Sequence, residues 1–148
     1  MDLLYLDYNC FQRGFDDQQQ IKIELEALAC EEIFVCAERK EIQLVWSFMH
    51  EDENFLCPFI ERKIEVNRLS FLCEIRVAPM KEIYALATTF QQQANVSPKD
   101  ALHLACANFV RSNFFLSCDT DLLKRTKRLA IAMKTMNPID YIKEQQQW

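Results

Sequence analysis

Short β-type runs alternating with stretches of helical periodicity constrain this 148-residue chain more than any other feature of its sequence. Leu3 to Leu6 reads as a buried strand ended by Asp7, and Asp16 or Asp17 is expected to cap a helix. That helix carries Ile21, Leu25, Leu28, Glu32 and Cys36 at helical spacing along its inner face. Ile42 to Val45 reads as a second strand, Ser47 as the cap of a short helix reaching Glu53, and Pro58 as a break before a helix over about 60–72. Glu74 to Val77 is the third expected strand, and Pro79 lies in the first turn of a helix running to about Gln92. Ser97 and Pro98 restart a helix in which Leu102, Ala105, Cys106, Phe109 and Val110 share one face. Phe114 to Leu116 is the fourth strand, Asp119 to Leu129 a helix, Ile131 to Met136 the fifth strand, and Pro138 opens a terminal helix. Helices long enough for crossovers between strands imply a mainly parallel sheet of about five strands, covered on both faces. The expected fold class is α/β, a three-layer α/β/α sandwich.

The length suits one core, half the residues are apolar, and no linker or repeat interrupts the pattern, so residues 1–148 read as a single domain. Three glutamine triplets, at 18–20, 91–93 and 145–147, read as surface or helix-end low complexity. A lone glycine, Gly14, excludes the glycine-rich loops that cradle nucleotide phosphates. No apolar run is long enough for a membrane span, and the start of the chain lacks the basic region of a signal peptide, which implies a cytoplasmic location. Seven cysteines with no C-x-x-C pair read as reduced, buried thiols, and their spacing marks neither a disulfide nor a zinc framework. With His50 and His103 as the only imidazoles, the chemistry must come chiefly from carboxylates.

The net charge of −5 opposes general nucleic-acid affinity but hides an asymmetry. Residues 1–74 carry 7 Lys/Arg against 16 Asp/Glu, a balance of −9, and residues 75–148 carry 10 against 6, a balance of +4. Lys124, Arg125, Lys127 and Arg128 supply much of that excess and read either as a solvated helix face or as an anion contact.

Ligands of an open parallel sheet bind beyond the carboxyl ends of its strands. Four acidic stations belong there: Asp7, the 51–53 acids, Asp100, and Asp119 with Asp121. Each alone has a structural explanation, as a turn residue, a solvated helix end or a helix cap. Together, carboxylates gathered on one edge would repel one another unless a cation held them. Oxygen ligands without His or Cys suit Mg²⁺ or Mn²⁺, bound with the phosphate oxygens of a substrate.

Three strings carry a family resemblance. Leu4-Tyr5-Leu6-Asp7-Tyr8-Asn9 resembles the opening strand of PIN-domain nucleases, Ser97-Pro98-Lys99-Asp100-Ala101-Leu102-His103-Leu104-Ala105 their third acidic motif, and Phe115-Leu116-Ser117-Cys118-Asp119-Thr120-Asp121 their fourth. The resemblance implies that Asp7, Asp100 and Asp119 hold a metal ion with Asp121 in support, that Asn9 orients Asp7 or a water, and that Ser117 stands where the family often has Thr. It puts the second acid six residues after Ser47, at Glu53, with Glu51 as a competitor. It also implies an endoribonuclease of the toxin type from a type II toxin–antitoxin pair, a homodimer restrained by a small antitoxin, with Lys124, Arg125 and Arg128 contacting the RNA backbone. His103 reads as structural rather than as a base, and Tyr8 and Trp46 as core aromatics. The alternatives are an inactive PIN-like binding module and a phosphatase of another doubly wound family; Asn9 stands where aspartyl-phosphate enzymes commonly need a second Asp.

Overall fold

A computed structural model of the chain describes residues 1–146. The last glutamine triplet ends at Gln147, outside the described residues. Five strands, β1 (Leu3–Leu6), β2 (Gln43–Ser47), β3 (Ile75–Val77), β4 (Phe114–Leu116) and β5 (Lys134–Met136), form one sheet in the order β3-β2-β1-β4-β5, and every neighbouring pair is parallel. The chain builds outward from β1 on one side through β2 and β3 and on the other through β4 and β5. The order therefore reverses between β1 and β4, where Leu4, Tyr5 and Leu6 face Phe114, Phe115 and Leu116 in register.

Side chains alternate across the sheet because successive strand residues point to opposite faces. Leu4, Leu6, Leu44, Trp46, Phe114 and Leu116 pack under α1 (Tyr8–Gln12), α2 (Ile21–Glu38), α4 (Ile60–Ser70) and α8 (Pro138–Gln145). On the opposite face, Tyr5, Val45, Val77 and Phe115 meet α3 (Phe48–Leu56), α5 (Lys81–Ala94), α6 (Pro98–Phe109) and α7 (Thr120–Thr126). The result is the expected three-layer sandwich, with two apolar cores separated by one sheet.

Several local expectations hold for physical reasons. Ser47 Oγ accepts from the Met49 amide at 3.2 Å, and His50 completes a capping box in the place usually held by Glu or Gln, its Nδ1 accepting from the Ser47 amide at 2.9 Å. Ser97 caps α6 by accepting from the Asp100 amide, and Asp119 caps α7 by accepting from the Leu122 amide. With one glycine in the chain, residues other than glycine take left-handed conformations beyond helix ends: Lys40, Asn95 and Arg111, with φ of 59°, 54° and 59°.

Other boundaries differ. Asp17 caps only the turn at Gln19; α2 starts at Ile21 with no side-chain cap. Pro79 precedes α5 instead of sitting in its first turn, β5 begins at Lys134, and α1 follows β1 at once, with Asp7 between them. The expected inner face of α2 is wrong: Ile21, Leu25 and Leu28 are exposed, and Glu26, Ala29, Cys30, Ile33 and Ala37 are buried. Apolar residues occur all round this helix, and the buried Glu26 is neutralised by Arg13, 2.9 Å away, an ion pair that periodicity does not reveal. Replacing Ile33 by Ala should therefore cost about 2–4 kcal/mol in urea denaturation, and replacing Leu28 by Ala about 0.5 kcal/mol or less; the reverse ranking would restore the other face.

Candidate functional site

Asp7 stands at the carboxyl end of the central strand, where its amide donates to the Leu116 carbonyl at 2.8 Å and extends the β1–β4 ladder. Although it occupies the N-cap position of α1, its carboxylate makes no cap bond. Instead Oδ2 accepts from Ser117 Oγ at 2.7 Å and from Asn9 Nδ2 at 3.3 Å. Asn9 is itself oriented by the Cys118 amide, which donates to Oδ1 at 3.2 Å. The expected orienting role of Asn9 and the Ser117 hydroxyl thus meet on one carboxylate oxygen.

Burial pushes the Asp7 carboxyl up to about 6; His103 and the Ser117 hydroxyl pull it down, and the charges of Asp100 and Glu53 push it further up. Asp100 is half-buried in the first turn of α6 and is also raised, first by burial, with the Ser97 hydroxyl opposing and Asp119 and Glu53 adding repulsion. Asp119 is exposed; its Oδ1 is spent on the α7 cap, leaving Oδ2 uncommitted among the described residues. The charges of Asp100 and Glu53 thus act on Asp7, and those of Asp119 and Glu53 on Asp100. Their oxygens remain spread: among the described residues, no three carboxylates bring one oxygen each within 4.8 Å of one another.

Glu53 and Glu51 part company. Glu51 Oε2 accepts from the Trp46 indole at 2.8 Å and lies outside this group. Glu53 Oε1 accepts from His103 Nε2 at 2.5 Å, and Lys99 Nζ lies 4.0 Å from Oε2. Behind it runs a buried chain: His103 Nδ1 bonds Tyr5 Oη at 2.6 Å, Tyr5 Oη bonds Ser47 Oγ at 2.7 Å, and Ser47 Oγ lies 3.2 Å from His50 Nδ1. Since the Ser47 amide can only donate to His50 Nδ1, Nε2 carries the proton and donates to the Leu6 carbonyl at 2.6 Å. Burial holds His50 well below the usual histidine range and Tyr5 well above the usual phenol range, so both stay neutral.

The remaining expectations divide. Asp121 is exposed and its carboxylate pairs with Arg125 at 2.9 Å rather than joining the acids. Arg125 Nη1 donates to the Asn95 carbonyl at 2.6 Å and Arg128 Nη1, just after α7, to the Ala94 carbonyl at 3.5 Å, so α7 and the turn that follows it are fastened to the carboxyl end of α5. Lys124 is exposed. Tyr8 and Trp46 are buried in the core. Lys99, which sequence reasoning passed over, lines a 270 Å³ groove beside Glu53 with Tyr8, Gln12 and Phe59; its only signal was its place beside Asp100 in a helical first turn. A 650 Å³ groove along α2 and α4 lies apart from the acids.

The donors are carboxylate oxygens, the kind that hard divalent ions such as Mg²⁺ or Mn²⁺ take, and among the described residues Asp7 is buried without an ion-pair partner. Comparison with protein-family models and with curated proteins returns no match.

The raised Asp7 carboxyl has a thermodynamic consequence. Between the ordinary aspartate value near 3.9 and about 6, the folded chain keeps a proton that the unfolded chain has released. Stability therefore falls as pH rises through that window and stays reduced above it. Asp7→Asn should stabilise the metal-free protein by about 1–3 kcal/mol at neutral pH and by nearly nothing below pH 4. Urea denaturation at both pH values checks this; an equal effect at both would remove burial of the charge as its origin.

Proposed function

We propose that the chain is a Mg²⁺- or Mn²⁺-dependent endoribonuclease of the PIN-like toxin type. The observation that carries this reading is the buried Asp7 carboxylate at the carboxyl edge where the strand order reverses, with the charges of Asp100 and Glu53 acting on it and that of Asp119 acting on Asp100. Asp7, Asp100 and Asp119 would hold the ion. Bound there, it would acidify water and neutralise charge developing on a phosphodiester.

The protein's own contribution is positioning. Ser117 and Asn9 fix one oxygen of Asp7 and leave Oδ1 as a ligand, since neither donates to it. His103 fixes Oε1 of Glu53, and Lys99, 4.0 Å from Oε2, is close enough to contact a phosphate. Lys124 is the better candidate for the RNA backbone, because Arg125 and Arg128 are engaged with α5. The preference for RNA, the homodimer, the cognate antitoxin and a cytoplasmic location come from the family resemblance. Large exposed apolar side chains at Phe55, Leu56, Ile60 and Ile64 supply surface for protein partners. Among the described residues no helix is long and apolar enough to cross a membrane. A second reading, an inactive binding module, is favoured by one observation: Glu53 is already held by His103 and Lys99.

Purified protein should cut a labelled, structured RNA with Mn²⁺, stop on addition of EDTA, and lose on the order of 100-fold or more in rate in Asp7→Asn and Asp100→Asn. Because Asp7→Asn is expected to be more stable, its loss of cutting would not be unfolding. Cutting that survives either variant would refute the assignment of the site. Absence of cutting, together with no Mn²⁺-induced rise in melting temperature, would favour the binding module.

A further inference from the structure

A second group of metal-competent side chains lies outside the acidic edge. The sulfurs of Cys10, Cys30 and Cys118 all lie within 4.8 Å of one another, and all three residues are buried. They come from three different elements: Cys10 from α1, Cys30 from α2, and Cys118 from the segment between β4 and α7. Spacing hides them, because no two belong to a C-x-x-C pair. We propose that Cys10, Cys30 and Cys118 form a thiolate site for Zn²⁺, distinct from the carboxylate edge and independent of the nuclease reading.

Four features support it. Zn–S bonds of about 2.3 Å put the sulfurs of a tetrahedral site about 3.8 Å apart, so the observed cluster needs to contract by about 1 Å or less. Three thiolates select a thiophilic d¹⁰ ion and reject Mg²⁺. Their complex with Zn²⁺ carries one net negative charge, and the Arg13 guanidinium is near enough for its charge to act on Cys118. Finally, Cys10 and Cys30 line the 650 Å³ groove along α2 and α4, which offers an entry path and a water for the fourth position. Glu26, fully buried nearby, is not the fourth ligand as it stands: Oε1 accepts from Arg13 and Oε2 from Asn137.

Such an ion would tie α1, α2 and the β4–α7 segment together directly behind the acids. Cys10 follows Asn9, and Cys118 lies between Ser117 and Asp119. Binding would release thiol protons to solvent, with no change of oxidation state.

The test uses the full chain, reduced and stripped of metal. Titration with Co²⁺ should produce a thiolate-to-cobalt charge-transfer band that saturates at about one equivalent and is abolished by Zn²⁺. Zn²⁺ alone should raise the melting temperature, and this rise should be lost in Cys30→Ser. Cys10→Ser, Cys30→Ser and Cys118→Ser should each lose the band, and Cys73→Ser and Asp7→Asn should keep it. Absence of the band in the unsubstituted protein, or no rise in its melting temperature with Zn²⁺, would overturn the proposal without recourse to any variant. So would a band that persists when Cys30 is replaced.

Discussion

Parallel pairing of β1 with β4 joins two stretches more than a hundred residues apart and sets the position of nearly everything else. It aligns Leu6 with Leu116, so the next residues out, Asp7 and Ser117, meet at 2.7 Å. The same register brings Asn9 against the Cys118 amide and the two cysteine-bearing segments against α2. Non-local strand pairing costs loop-closure entropy before it gains contacts. Here the ladder is only three residues long on the β4 side, and the fully buried Leu4, Tyr5, Leu6, Phe115 and Leu116 must offset that cost.

A polar chain crosses the core on the Tyr5 side of this pairing. Tyr5, Ser47, His50 and His103 are all essentially buried, and each finds partners within hydrogen-bonding distance. A partly satisfied network would be worse than an apolar core, because every orphaned polar group bears its full desolvation cost. Satisfied, it links the end of β2 to α6 and holds Glu53 through His103. His50 stacks on Trp46 and lies tilted against Tyr5, so this imidazole serves packing as well as hydrogen bonding.

Electrostatics divides the molecule between work done on itself and work left for a ligand. Arg13, Arg125 and Arg128 are engaged within the molecule, on Glu26, on Asp121 and on the carbonyls ending α5. By contrast, Asp7 is buried with hydroxyl and amide donors and, among the described residues, no ion-pair partner, and burial first, then the charges of Asp100 and Glu53, pushes its carboxyl up to about 6. A group in that condition is a more informative marker of function than a basic cluster.

Much of this was legible in the residues alone. The five strands, the two-sided cover, and the Ser47, Ser97 and Asp119 caps follow from local rules: period-two burial, period-3.6 faces, and side chains that satisfy helix-end amides. Acids at strand ends could be located for the same reason, since a strand that ends in Asp or Ser-Cys-Asp is local information. Which acid uses its oxygens where is not. Asp119 spends one on a cap, Asp121 turns to Arg125, Glu51 to Trp46 and Glu53 to His103, and each choice depends on a neighbour brought by folding. The buried face of α2 was misjudged because its ionic residue, Glu26, lies in the core with a partner thirteen positions away. The meeting of three cysteines has the same origin: it is a product of three elements packing, invisible to spacing. The sequence by itself determined the elements and the kinds of chemistry they carry. Only the tertiary structure decided which of those groups neutralise one another and which remain available, because pairing energies depend on distance and burial, and neither is encoded in any local stretch.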